Sequence, residues 1–204
     1  MKSLKPIVFL SCLVPLALLA WDGYADNLGA NPIEAITRAT GKWTLILLLV
    51  TLAITPLRKI SGWQSLIKFR RMLGLFAFFY ACLHFTTYVW LDQFFEVPSI
   101  VKDIAKRPFI TVGFTSFVLL IPLAVTSTSG MIRRLGKRWQ QLHRLVYISA
   151  IGGVLHFLWL VKADIRRPVL YGSILALLLA YRLVRGGSWS AALKIPGKNL
   201  SASS

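Results

Sequence analysis

The chain has 204 residues, 24 Lys and Arg against 7 Asp and Glu, and a formal net charge of +17. Taken alone that balance suits a nucleic-acid binder, but 56% of the residues are hydrophobic and they lie in long runs, which excludes a basic soluble domain. The excess charge belongs to the ends of apolar spans, and the class is an all-α integral membrane protein.

Six segments approach or exceed the roughly 17 apolar residues that cross a bilayer core at helical rise. They predict transmembrane helices over 6–24, 42–58, 70–92, 108–129, 139–162 and 167–185, packed as a single membrane domain covering 1–204 with a tail over 186–204. Lys2 and Lys5 ahead of the first apolar run look like a signal peptide. No small-x-small cleavage site follows at a fitting distance and five spans come after, so an uncleaved first span is expected. Cys12 and Cys82 both fall within spans and read as small apolar packing residues, too isolated for a disulfide framework or a zinc site. The link from Lys162 to Arg167 makes spans five and six a tight hairpin. No internal repeat and no Gly-rich nucleotide fingerprint is visible. Gly186 and Gly187 read as a stop and a turn, and the tail after them is too short for a flavin or nicotinamide domain.

Charge orients the spans. With the N-terminus, the 58–71 and 130–144 links and the tail on one side, that side carries 16 Lys and Arg and the other 8. All seven acids, Asp22, Asp26, Glu34, Asp92, Glu96, Asp103 and Asp164, fall on the poorer side. The positive-inside rule then predicts cytoplasmic termini and acidic links facing outward, with Trp63, Trp139 and Trp189 at the inner interface and Trp21, Trp43, Trp90 and Trp159 at the outer one.

All three histidines fall inside spans, where a polar ring is costly unless paired or ligated. His84 lies eight residues before Asp92 on span three and His156 eight before Asp164 on span five, so both sit at one depth in the outer half. One histidine on each of two helices at matched depth is what a six-coordinate haem needs, with two neutral imidazoles as axial ligands. His143 lies 13 residues before His156, about 20 Å deeper. Its matching positions on span three hold Arg71 and Arg70, which clamp phosphate or propionate but are implausible iron ligands. His143 therefore either contacts an inner cofactor with another ligand set or is an interfacial histidine hydrogen-bonded near the surface. On an ideal helix it would point about 140° away from His156, with Gly152–Gly153 between them permitting a bend or a close approach. Arg38 and Lys42 are either propionate partners or ordinary flanking cations. Phe76, Phe78, Phe79, Tyr80 and Phe85 either pack on a porphyrin or fill the bundle. The stretch Phe94 to Arg107 reads as an amphipathic surface segment suited to partner docking.

The run Trp139-Gln-Gln-Leu-His143-Arg144-Leu-Val-Tyr147 with His156 thirteen residues on, and Phe69-Arg70-Arg71-Met72-Leu73-Gly74-Leu75 leading to His84, resemble the ferric-reductase-like transmembrane domain shared with NADPH oxidases. The likeness covers about residues 40–185. The six-span form, with Gly41-Lys42-Trp43 opening span two and Thr55-Pro56-Leu57-Arg58 closing it, is most similar to the MsrQ (YedZ) family. That resemblance implies a haem b subunit of the bacterial inner membrane, with FMN and quinone as further cofactors. Its electrons would come from quinol or a cytosolic flavin reductase and pass to MsrP, a periplasmic molybdopterin reductase that repairs methionine sulfoxide in envelope proteins. It places the three family histidines on His84, His143 and His156, with Arg70 or Arg71 where NADPH oxidases have a fourth. The sulfoxide chemistry would lie on the partner, and no nucleic acid is expected to bind. The competing readings are a stand-alone transmembrane ferric or quinone reductase, and a membrane assembly or transport protein without cofactor. The lack of acids inside any span argues against a proton-coupled form of the last.

Overall fold

A computed structural model describes residues 4–161 and 164–192 as helices joined by short turns, with no strand among the described residues. Lys2, Lys162 and the tail beyond Ala192, all used above, lie outside them. The helices are α1 (Leu4–Tyr24), α2 (Pro32–Ser61), α3 (Ile67–Thr87), α4 (Val97–Lys106), α5 (Pro108–Val125), α6 (Ser129–Leu135), α7 (Lys137–Leu142), α8 (Leu145–Leu160) and α9 (Arg166–Ala192). A 3-10 turn, Gln64–Leu66, leads into α3 and a π turn, Tyr88–Asp92, extends it. Six of these units are long and apolar enough to cross a membrane: α1, α2, α3 with its flanking turns, α5, the α7–α8 pair and α9 as far as Val184. The protein is a multi-pass, all-α membrane protein.

Two hairpins form the centre. α2 packs against α3 and α5 against α8, while α1 and α9 lie to the outside. With lipid as apolar as leucine, close approach rests on small side chains. On α8, a methyl group at Gly152 would collide with Ser116 of α5, and Ser149 Oγ donates to the Ser116 carbonyl at 3.1 Å. The close approach anticipated at Gly152–Gly153 is thus between helices, with Gly153 in ordinary contact with Leu45. Leu48, Leu52, Ala77, Tyr80, Leu120 and Ala150 complete the buried interior.

Four boundaries differ from the hydropathy reading, the last being that α9 runs through Gly186 and Gly187, read above as a stop and a turn, to Ala192 rather than ending at 185. α2 begins ten residues earlier than 42, because Asn31 caps it by accepting from Glu34 N at 3.2 Å, Pro32 suits the first turn, and an Arg38–Glu34 ion pair supports the second. α5 ends at Val125 rather than 129, where Thr128 Oγ1 caps the short α6. Span five is interrupted at His143–Arg144 by tightened i→i−3 bonds, so His143 and His156 do not share one ideal helix.

Near two of the prolines another helix bonds to the backbone. Beside Pro15 the Tyr80 hydroxyl of α3 bridges one turn of α1, accepting from Leu16 N at 3.1 Å and donating to Cys12 O at 2.8 Å. Pro56 has no N–H for the carbonyl four residues back, Leu52 O, and the Arg182 guanidinium of α9 donates to it instead. At the acid-bearing end, Phe94 and Phe95 are exposed and both have positive φ, 47° and 61°. They lead into α4, which puts Val97, Ile100, Val101 and Ile104 along one side. Asp103 ties α4 back to the π turn through Tyr88 and Gln93, and pairs with Arg107 at the end of α4.

Candidate functional site

The two histidines of equal depth meet inside the bundle. The rings of His84 on α3 and His156 on α8 have centroids 6.2 Å apart, inclined at 74°. Each is held from behind by the backbone of its hairpin partner: His84 Nδ1 lies 2.9 Å from Thr37 O on α2, and His156 Nδ1 lies 2.7 Å from Phe109 O on α5. A carbonyl can only accept, so Nδ1 carries and donates the proton in both rings, and the lone pair is on Nε2.

One turn beyond each carbonyl stands a glycine. A methyl carbon on Gly41 would lie 3.0 Å from His84 Cε1 and Nδ1, and one on Gly113 would lie 2.6 Å from His156 Nδ1. The two halves share a single spacing. Each histidine bonds to the carbonyl 47 residues before it and rests on the glycine 43 residues before it. The same turn is therefore used twice, on α2 to seat the histidine of α3 and on α5 to seat that of α8. Nothing in composition marks Thr37, Phe109 or Gly113, and Gly41 stood out only as part of a family motif. The equal interval was the available signal, and it acquires meaning only once both hairpins are known.

This arrangement fits an axially ligated iron. A metal–imidazole bond of about 2 Å and a ring radius of roughly 1 Å on each side place two trans ligands' centroids about 6 Å apart, against 6.2 Å found. Backbone carbonyls behind both rings are the orienting partners such ligands need. No group of three or more His, Cys, Asp or Glu suited to another metal occurs among the described residues.

The remaining candidates divide. Arg38 pairs with Glu34, and Lys42 Nζ lies 5.7 Å above the Trp43 ring. Phe78 and Phe85 of α3 stack on Phe117 of α5, and Phe76 meets Phe9 and Phe79, so this aromatic run joins helices. His143 does not join the pair. Its Nδ1 donates to Trp139 O at 3.1 Å, its Nε2 lies 3.4 Å from Ser127 Oγ, and its ring stacks on Trp139 with centroids 3.8 Å apart. Trp139 Nε1 in turn donates to Thr126 O, closing α7 onto the end of α5. Arg71 donates to Ser129 Oγ at 3.3 Å. Arg70 is close enough to act electrostatically on both His143 and Arg182. Arg182, counted in the sequence only as a flanking cation, reaches into the bundle over the Tyr147 ring.

Residues 40–154 match the family described as ferric reductase like transmembrane component. A protein of Herminiimonas arsenicoxydans named protein-methionine-sulfoxide reductase heme-binding subunit MsrQ is 60% identical over 183 residues, covering 88% of this chain and 84% of its own. Proteins of the same name from Azospira oryzae and Bordetella pertussis are each 53% identical, over 93% and 88% of this chain and 84% and 88% of theirs. No solved structure matches.

Proposed function

Because the chain belongs to the MsrQ family of heme-binding subunits, built on the ferric-reductase-like transmembrane domain, we propose that it holds haem b between His84 and His156 and relays electrons across a bacterial inner membrane. The observation that carries this is the facing pair itself, two imidazoles of matched tautomer at ligand spacing inside a bundle of helices. Haem b, when bound, supplies a one-electron iron couple. The chain's own residues do the positioning. Thr37 and Phe109 carbonyls hold each Nδ1 proton and keep Nε2 free, Gly41 and Gly113 leave the rings their room, and the surrounding Leu and Phe side chains keep water away.

Direction follows from charge. Both termini are cytoplasmic, and the donor side is the basic end, where quinol or a cytosolic flavin reductase delivers electrons near His143, Arg70 and Arg71, with FMN as a candidate cofactor there. The acceptor side is the acid-bearing end. There the Phe94–Arg107 segment offers a docking surface to a periplasmic, MsrP-like molybdopterin methionine-sulfoxide reductase, on which the sulfoxide chemistry takes place. Membrane lipids surround the rest.

Absorption spectroscopy with haem quantification on detergent-purified protein tests the reading. The expected result is about one haem b per chain with a low-spin, bis-histidine spectrum, lost in His84→Ala and in His156→Ala and kept in His143→Ala. A folded but colourless protein from haem-supplied cells overturns it. Electron delivery to the purified periplasmic reductase, and not to a ferric chelate, separates the relay from a stand-alone ferric reductase.

A further inference from the structure

Arg182 is an arginine within the bundle, and its surroundings account for only part of it. Its guanidinium reaches α2 at Leu52, eleven residues past Gly41, and α8 at Tyr147, nine residues before His156. At helical rise those intervals are about 16 and 14 Å, so the group lies one layer below the histidine pair, toward the basic end. Its Nη2 donates to Leu52 O, the carbonyl that Pro56 leaves without a helical partner. Its Cζ lies 5.2 Å from the Tyr147 ring centre. Its Nη1 is buried and has no hydrogen-bond partner among the described residues.

No carboxylate balances the charge. All seven acids of the chain belong to the opposite end, and the charged neighbour that acts on Arg182 is another cation, Arg70. A neutral donor would satisfy Leu52 O without burying a charge. A partly buried cation near the end of a span, with a buried N–H unused among the described residues, marks a place where an acceptor enters.

We propose that Arg182 is the recognition residue for an electron donor that binds in this layer: its Nη1–H and its charge take a ring carbonyl of a quinone head group or of a flavin. A quinol oxygen carries negative charge as its proton leaves, as the carbonyl edge of a deprotonated reduced flavin does, and a fixed cation beside it favours that electron-donating form. The donor, on oxidation, breaks two O–H bonds if a quinol or two N–H bonds if a reduced flavin, releases two protons and gives up two electrons, which leave one at a time for the same one-electron acceptor, the second after the acceptor has passed on the first. This rests on the electron-relay reading and names the chemical group recognised on its donor side.

The test compares reduction of the haem-loaded, full-length protein by decylubiquinol, by photoreduced FMN and by dithionite. The proteins are the wild type, Arg182→Gln, Arg182→Lys and the double variant Pro56→Ala/Arg182→Gln. Pro56→Ala supplies Leu52 O with a helical N–H, so the double variant restores the cap and not the charge. Arg182→Gln is expected to keep the low-spin spectrum and the dithionite rate while the rate with the working donor falls roughly tenfold or more. Lysine is expected to recover part of that loss and the double variant none. Which of the two donors serves the wild type distinguishes quinone from flavin. A double variant at wild-type rate makes Arg182 a helix cap and overturns the proposal, as does an unchanged rate in Arg182→Gln. Should Arg182→Gln not fold, the double variant carries the test. A wild type reduced by dithionite but by neither donor overturns the donor side of the relay reading, and this proposal with it.

Discussion

A methyl carbon on Gly113 would stand 2.6 Å from His156 Nδ1, and the atom it meets belongs to a ring already fixed by its bond to Phe109 O. Gly113→Ala is therefore expected to swing His156 off that carbonyl and to weaken haem retention by about 10- to 100-fold, the usual cost of losing an orienting partner. The spectrum should move from low-spin toward high-spin, and a haem titration followed by absorption reads both. Gly41→Ala meets His84 at 3.0 Å and asks for a shift of only a few tenths of an ångström, so its effect should be smaller. The reverse order would contradict the geometry. The histidine pair itself was legible in the sequence because depth is one-dimensional and can be counted from Asp92 and Asp164. The groups behind the rings were not, because they sit on other helices and only packing decides which helix backs which. Arg182 escaped for a related reason: near the end of a span it reads as a flanking cation, and only the gap left by Pro56 on another helix draws it inward.

Among the helices, the bridge at Tyr80 separates a local bond from a tertiary one. Its hydroxyl bridges one turn of α1, so Tyr80→Phe should loosen α1 from α3 by about 0.6 to 1.7 kcal/mol, the range for interhelical hydrogen bonds in membrane bundles. Reversible unfolding in mixed micelles measures this, and the haem spectrum should not change. At the α5–α8 contact, Gly152→Ala places a methyl group on Ser116 Oγ, whereas Gly153→Ala meets Leu45 at an ordinary 3.7 Å. The first is expected to lower the melting temperature and the second to leave it nearly unchanged; equal effects would mean that α5 and α8 do not pack through this stripe. The six spans were readable because twenty apolar residues have few other uses. Their ends were less so, since hydropathy reports the part of a helix in hydrocarbon. The helix itself continues for as long as caps such as Asn31 and pairs such as Glu34–Arg38 support it.

The whole molecule is polarised by charge, with 16 of its 24 basic residues assigned to one side and all seven acids to the other. Alkaline phosphatase fused after Gln93 is accordingly expected to be active, and fused after Leu135 inactive; the opposite pattern would invert the donor and acceptor sides. The same six-span order bears on how the chain is made. The turn of α1 at Cys12–Leu16 is bridged by a residue 64 positions downstream of Leu16. At a synthesis rate of roughly 5 to 20 residues per second, the first span leaves the ribosome roughly 3 to 13 s before the hydroxyl that bridges it. A nascent chain halted before Tyr80 would hold α1 in the membrane without that bridge. The helix that enters first thus waits for the third span, which bonds to α1 and also pairs with α2 in a hairpin.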